Sequence, residues 1–218
     1  MMELYAHPFS SYCQKVLVAL YENAIPFEFR MLSPDHAQHM DELGVRWPLR
    51  RMPLLVDDGR SVFESSIIVE YLDQHHRGPV RWLPESPDAA LKVRLLDRFF
   101  DQYVMTPMQR IVADYLRPAA NRDPHGVAEY RKLLDSAYAW LETELAARQW
   151  AAGGAFTLAD CAAAPSLFYA DWVQPIPAAC GNVRAYRNRL LARPSFARAV
   201  DEARPYRPLF PPGAPERD

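Results

Sequence analysis

Hydrophobic and polar positions alternate at the start of the chain, with Met2, Leu4 and Ala6 set against Glu3 and Tyr5, the period of two that predicts a strand. The period changes at Cys13. From there Cys13, Val16, Leu17 and Leu20 fall at helical spacing and predict one buried stripe. Pro26 ends that helix, and Phe27, Phe29 and Met31 alternate with Glu28 and Arg30 as a second strand. Strand, helix and strand in so short a space predict a right-handed βαβ unit with parallel strands. Ser33 to Arg50 is polar and irregular, with a short helix expected around His36 to Leu43. Two apolar runs, Pro53-Leu54-Leu55-Val56 and Ser61-Val62-Phe63, flank Asp57-Asp58-Gly59-Arg60, a strong hairpin signal. Glu64-Ser65-Ser66 then opens a helix carrying Ile67, Ile68, Tyr71 and Leu72. Gly78-Pro79 and Pro84-Glu85-Ser86-Pro87 read as a linker.

Beyond the linker the period is helical throughout. Val93, Leu96, Phe100, Tyr103 and Val104 predict one stripe, and Leu95 and Phe99 add apolar bulk on a neighbouring face. Tyr130, Leu133, Leu134, Ala137, Tyr138, Leu141 and Leu145 predict an amphipathic helix. Thr157-Leu158-Ala159-Asp160 has capping-box form, with Asp in the acidic position and Phe156 as its staple. The helix it opens is apolar on most sides, hence central, and Pro165 is expected to kink it or to be absorbed near its first turns. Val183, Tyr186, Leu190 and Leu191 predict a further helix, and Pro194-Ser195-Phe196 another start. Pro205 to Asp218 is proline-rich and expected to be extended.

Composition narrows the function classes. The 218 residues carry 25 Lys and Arg against 27 Asp and Glu, and no basic cluster suggests nucleic acid. No apolar run reaches the roughly 18 residues a membrane span needs, and Met1-Met2-Glu3-Leu4 has no secretory pattern. Cys13, Cys161 and Cys180 are odd in number and widely spaced, which fits a reducing cytoplasm and neither a disulfide framework nor a metal site. The chemistry worth following lies in the turn Pro8-Phe9-Ser10-Ser11-Tyr12-Cys13. Ser11 with Gln14 three residues on has capping-box form. Ser10 then sits just outside the helix start, its hydroxyl free beside the positive end of the macrodipole, a place to hold a thiolate. Both serines also make sense as mere turn and cap residues.

Over almost its full length the chain resembles a cytosolic glutathione S-transferase. The likeness rests on Ser10-Ser11-Tyr12-Cys13 at the first strand-to-helix turn, Arg51-Met52-Pro53 before a strand, Glu64-Ser65 at a helix start and Thr157-Leu158-Ala159-Asp160 in the helical region, in that order and spacing. It implies an α/β thioredoxin-like N-terminal domain over residues 1–80, which binds glutathione, and an all-α helical C-terminal domain over residues 88–210. It also implies a serine-type, bacterial-like enzyme in which Ser10 donates a hydrogen bond to the glutathione sulfur. By the same resemblance Met52-Pro53 would be a cis-proline turn whose Met52 backbone pairs with the cysteinyl residue of glutathione, and Arg51 (or Arg50) would lie near the glycyl carboxylate. Ser65 and its helix start would receive the γ-glutamyl carboxylate, and Glu64 the γ-glutamyl ammonium. Arg51 as a solvated side chain, Glu64-Ser65 as plain caps and Cys13 as a small core residue stay open beside these roles.

An electrophilic second substrate needs an apolar wall, for which Phe9, Tyr103 and Met108 are the candidates. The implied reaction is conjugation of the glutathione thiolate to electrophilic small molecules, a detoxification chemistry, with glutathione as co-substrate and no metal. A glutathione-dependent isomerase of maleylacetoacetate type is the alternative within the fold. It is ranked lower because Tyr12 replaces the cysteine of that group's Ser-Ser-Cys turn. A non-catalytic scaffold that binds proteins is the alternative from another class. A homodimer is expected through the long helix after the linker, on Leu95 and Phe99.

Overall fold

The computed structural model describes all 218 residues. The chain opens with β1 (Glu3–Ala6), α1 (Ser11–Glu22), β2 (Glu28–Met31), α2 (Ala37–Arg46), β3 (Leu54–Asp57), β4 (Arg60–Phe63) and α3 (Ser65–His75). The strands form one sheet in the order β2-β1-β3-β4. β1 pairs parallel with β2, as the βαβ pattern requires, and antiparallel with β3, which pairs antiparallel with β4. Asp57 faces Arg60 across the β3–β4 turn, and Asp58 (φ 46°) and Gly59 (φ 85°) both take the left-handed conformation that a two-residue hairpin demands. α2 runs beyond the expected Leu43 to Arg46, behind a 3-10 turn at Pro34–His36. Side chains alternate across the sheet. Leu4, Ala6 and Leu55 join the main core, while Tyr5, Leu54 and Val56 form a smaller one with Leu32 and with Leu43 of α2.

The remainder is helical: α4 (Pro87–Phe99), α5 (Thr106–Tyr115), α6 (Pro124–Glu144), α7 (Leu158–Val173), α8 (Gly181–Leu191) and α9 (Pro194–Ala203). A π-helical segment, Phe100–Met105, joins α4 to α5. A π turn holds one residue more than an α turn, so it advances the phase of everything after it. Val93, Leu96, Phe100 and Val104 are buried as the spacing predicts, but Tyr103 is 47% exposed because the wide turn carries it off the stripe. Thr106 Oγ1 donates to the Asp101 carbonyl at 2.9 Å inside this turn.

α7 is the central helix, buried along nearly its whole length. Thr157 and Asp160 close the expected capping box, and the Asp160 carboxylate accepts from Thr157 N–H (2.8 Å), Ala151 N–H (2.8 Å) and the Tyr186 hydroxyl (2.6 Å). Pro165 stands in the middle of α7, past its first turns, and the helix runs through it to Val173. α1 packs against α3, α7 and α9, so one core runs through both halves of the chain. The C-terminal stretch is not extended. Arg204–Leu209 forms a 3-10 helix that sets Tyr206 against His7 (4.7 Å) and leads Phe210 onto Trp172 (5.2 Å). No helix is long and apolar enough to cross a membrane.

Candidate active site

The start of α1 differs from the sequence reading by one residue. Ser10, not Ser11, occupies the N-cap position, with extended backbone (φ −83°, ψ 122°) and no capping bond from its side chain. Ser11 is the first helical residue and is buried, its Oγ accepting from Gln109 Nε2 of α5 at 3.5 Å. Gln14 closes no box, because its amide donates to the Pro8 carbonyl (2.9 Å) and to the Tyr169 hydroxyl of α7 (3.1 Å). The Ser10 hydroxyl interacts with Cys13 one turn on. Burial pushes the Cys13 thiol up to about 11, against the pull of Ser10 and of the His7 backbone. Cys13 is thus a small core residue.

The second helix start is that of α3. Glu64 is its N-cap, exposed and held at φ 67°, ψ 121°, while Ser65 is buried at the first helical position. The next residue, Ser66, belongs to a buried charge network. Lys15, 1% exposed in the middle of α1, pairs with Asp97 (2.5 Å) and Asp101 (2.9 Å) and donates to Ser66 Oγ (2.8 Å). Arg98 covers the outer side, its Nη2 meeting Ser66 Oγ, Asp97 (3.0 Å) and Asp101 (3.4 Å). Two cations therefore meet two carboxylates, joining α1, α3 and the α4–α5 helix. Burial raises the Asp101 pKa, with Lys15 opposing.

Tyr12 lies near both helix starts. Its phenol is pushed up to about 12, chiefly by burial, then by the charge of Asp101 and, more weakly, of Glu64; a hydrogen bond with Thr106 and the charge of Arg98 oppose the rise. The first turn of α1, the start of α3 and the π segment thus lie within electrostatic reach of one side chain. The network residues escaped the sequence reading. Lys15 alone carried a signal, since a cation in the apolar run from Cys13 to Leu20 must be paired, but nothing in the sequence names Asp97 or Asp101 as its partners.

The other candidate residues are spread more widely. Met52-Pro53 is a cis peptide bond directly before β3, with Met52 40% exposed and Pro53 buried. Arg51 is exposed and makes no ion pair, whereas Arg50 folds back to the Met40 carbonyl (3.4 Å) and over Gly44. Both arginines are exposed, and Arg51 is the one with no contact holding it elsewhere. Among the apolar candidates, Met108 is 4% exposed and belongs to the core, which leaves it no open surface. Phe9 packs into an aromatic group of this same chain, 5.5 Å from Tyr169 and 6.3 Å from Phe210. Tyr103 is exposed and leans on Phe99 at 5.4 Å. The three do not form one wall.

Residues 4–80 match the profile of the glutathione S-transferase N-terminal domain, and residues 124–189 match that of the C-terminal domain. A glutathione S-transferase from Methylobacterium radiotolerans JCM 2831, crystallised with glutathione sulfonate, is 31% identical, with a TM-score of 0.79 over 91% of this chain and 94% of that one. The chain belongs to the glutathione S-transferase family. Within that family its likenesses diverge. A stringent starvation protein A homolog of Coxiella burnetii is 26% identical over 93% of this chain and 92% of that protein. Human glutathione S-transferase theta-1 is 31% identical over only 42% of this chain and 39% of its own length.

Proposed function

We propose that this transferase-family chain binds glutathione in the cleft between the starts of α1 and α3 and transfers its thiolate to electrophilic small molecules in the cytoplasm. The observation that carries the reading is the conformation of Glu64. A non-glycine residue at φ 67° costs on the order of 1–3 kcal/mol and persists where a site uses the geometry. Beside it, Ser65 opens a helix whose free N–H groups and positive dipole end suit the γ-glutamyl carboxylate, and the Glu64 carboxylate suits the neighbouring ammonium. The Met52 backbone is assigned to the cysteinyl residue and Arg51 to the glycyl carboxylate. Ser10 donates to the sulfur. Bringing a thiol from about 8.5 to 6.5–7 requires roughly 2–3 kcal/mol of thiolate stabilisation, the order that a charge-assisted hydrogen bond and a helix N-terminus supply together. Residues 1–80 are assigned to the glutathione domain and residues 88–210 to the helical domain. The solved relative with bound glutathione sulfonate supports the ligand.

Full-length similarity to stringent starvation protein A homologs favours a second reading, a scaffold without turnover. Retention on immobilised glutathione followed by a conjugation assay with an aryl halide separates the two. The enzyme reading expects retention and turnover, with Ser10→Ala retained but slow. A chain that is neither retained nor active would leave the scaffold. A homodimer is proposed on α4, where Leu91 (66% exposed) and Leu95 (62%) stand one turn apart. Phe99 is instead half-buried against Trp140 at 4.2 Å in the same chain. An isologous contact would cover such a patch with its own copy.

A further inference from the structure

Away from these helix starts, the end of α7, one face of α8 and the C-terminal segment line a cavity of about 330 Å³ that opens to solvent. Arg184, Arg187 and Arg217 line it together with a single carboxylate, Asp171, which leaves a surplus of two positive charges. Arg184, Arg187 and Asn188 lie three and four residues apart on α8 and so share a face. Pro175 and Ile176 supply an apolar side.

Arg187 is the unusual member. Its side chain is only 8% exposed, yet Nε and Nη2 have no hydrogen-bond partner. Its nearest carboxylate oxygen, Asp171 Oδ2, is 3.4 Å from Nη2 and is already engaged by Arg217 Nη1. The other oxygen, Oδ1, accepts from Ile176 N–H at 2.8 Å. One carboxylate thus serves two guanidinium groups and a backbone amide. Burial lowers the Arg187 pKa, and the charge of Arg217 lowers it further, against the pull of Asp171. A buried cation with unused donors is costly unless it is paired, and beyond Asp171 the chain offers Arg187 only the face of Phe168 at 5.6 Å and the weaker charge of Asp218, neither of which takes up its free N–H groups.

We propose that this cavity binds a phosphate dianion, either free or as the head of a phosphomonoester. Two negative charges match the surplus, and guanidinium forks make strong charge-assisted bonds to phosphate oxygens. A liquid water occupies about 30 Å³, so the cavity holds a phosphate with room for a short carbon group against Pro175 and Ile176. The site draws on none of the residues assigned to glutathione.

Calorimetric titration of the full chain at low ionic strength, first with inorganic phosphate and then with glycerol 3-phosphate, tests the proposal. Saturable binding at one site is expected. Arg184→Ala and Arg217→Ala, both at exposed positions, should each weaken it about tenfold or more, while Arg77→Ala, remote and exposed, leaves it unchanged. Tighter binding of the ester identifies an esterified source, and equal or weaker binding identifies the free ion. Absence of saturation with both ligands overturns the proposal, as does an equal loss in Arg77→Ala. Malonate binding as tightly as phosphate would replace the phosphate assignment with a dicarboxylate.

Discussion

Replacing Lys15 with Met removes the cation at the centre of the buried network and leaves its partners in place. Asp97 and Asp101 have side chains only 3% and 11% exposed, and both lie within 3 Å of the Lys15 ammonium. Without it they face each other with only Arg98, half exposed at the rim, to neutralise them. Breaking one side of a buried ion pair costs about 3–5 kcal/mol. At roughly 2.1 cal/mol/K of unfolding entropy per residue, a chain of 218 residues then loses about 7–11 °C of melting temperature.

The pH dependence follows from the same geometry. Asp101 already has a folded-state pKa above its ordinary value, raised by burial, and loss of Lys15 raises it further. A carboxyl raised by folding binds more protons in the native state, so its stabilising effect is present at low pH and is lost as pH rises through the raised value. The deficit of Lys15→Met should therefore grow from pH 5 to pH 7.5, and Asp97→Asn added to Lys15→Met should recover part of it. Urea denaturation at both pH values measures this. A loss under about 1 kcal/mol, the size of an exposed pair, or an equal loss at both pH values would refute the reasoning.

Ser65→Ala and Glu64→Gln should each weaken glutathione binding by roughly 1.5–3 kcal/mol, read by calorimetry; unchanged affinity in both removes the γ-glutamyl assignment. Asp160→Asn should lower stability by at least about 2 kcal/mol, because its carboxylate accepts from two backbone amides and two hydroxyls. Denaturant melts report that loss, and a neutral result would mean that the capping box is dispensable. Leu95→Glu should convert a dimer to a monomer in light scattering while its melting temperature stays near that of wild type; a monomeric wild type ends the dimer proposal.

Local chemistry made much of this fold legible. The β3–β4 turn was readable because only certain residue pairs adopt two left-handed conformations in succession, and Asp58-Gly59 is such a pair. Thr157 and Asp160 were readable because a capping box satisfies its own helix end within four residues. Errors arose where distant contacts overrode a local pattern. Gln14 could have closed a box with Ser11, but Tyr169 of α7 and the Pro8 carbonyl offered its amide partners, and the cap moved to Ser10. Tyr103 left its stripe because one π turn shifted the helical phase, and a periodicity argument contains no term for such an insertion. The candidate site was half visible. Its helix starts stood out in the sequence, whereas the network behind them joins residues up to 86 positions apart.

The burial of the three cysteines has a consequence for chemical selectivity. Cys13 and Cys161 are fully buried and Cys180 nearly so, and burial raises the pKa of all three thiols. With the Cys13 thiol at about 11, roughly one molecule in ten thousand carries it as the thiolate at neutral pH, and that sulfur has no path to solvent. No cysteine of the polypeptide therefore competes as a thiolate nucleophile. An electrophile at the proposed site would meet no protein thiolate, which closes the chain's most reactive route to its own alkylation and leaves the weaker Met52 thioether, 40% exposed, as the nearest protein sulfur assigned there.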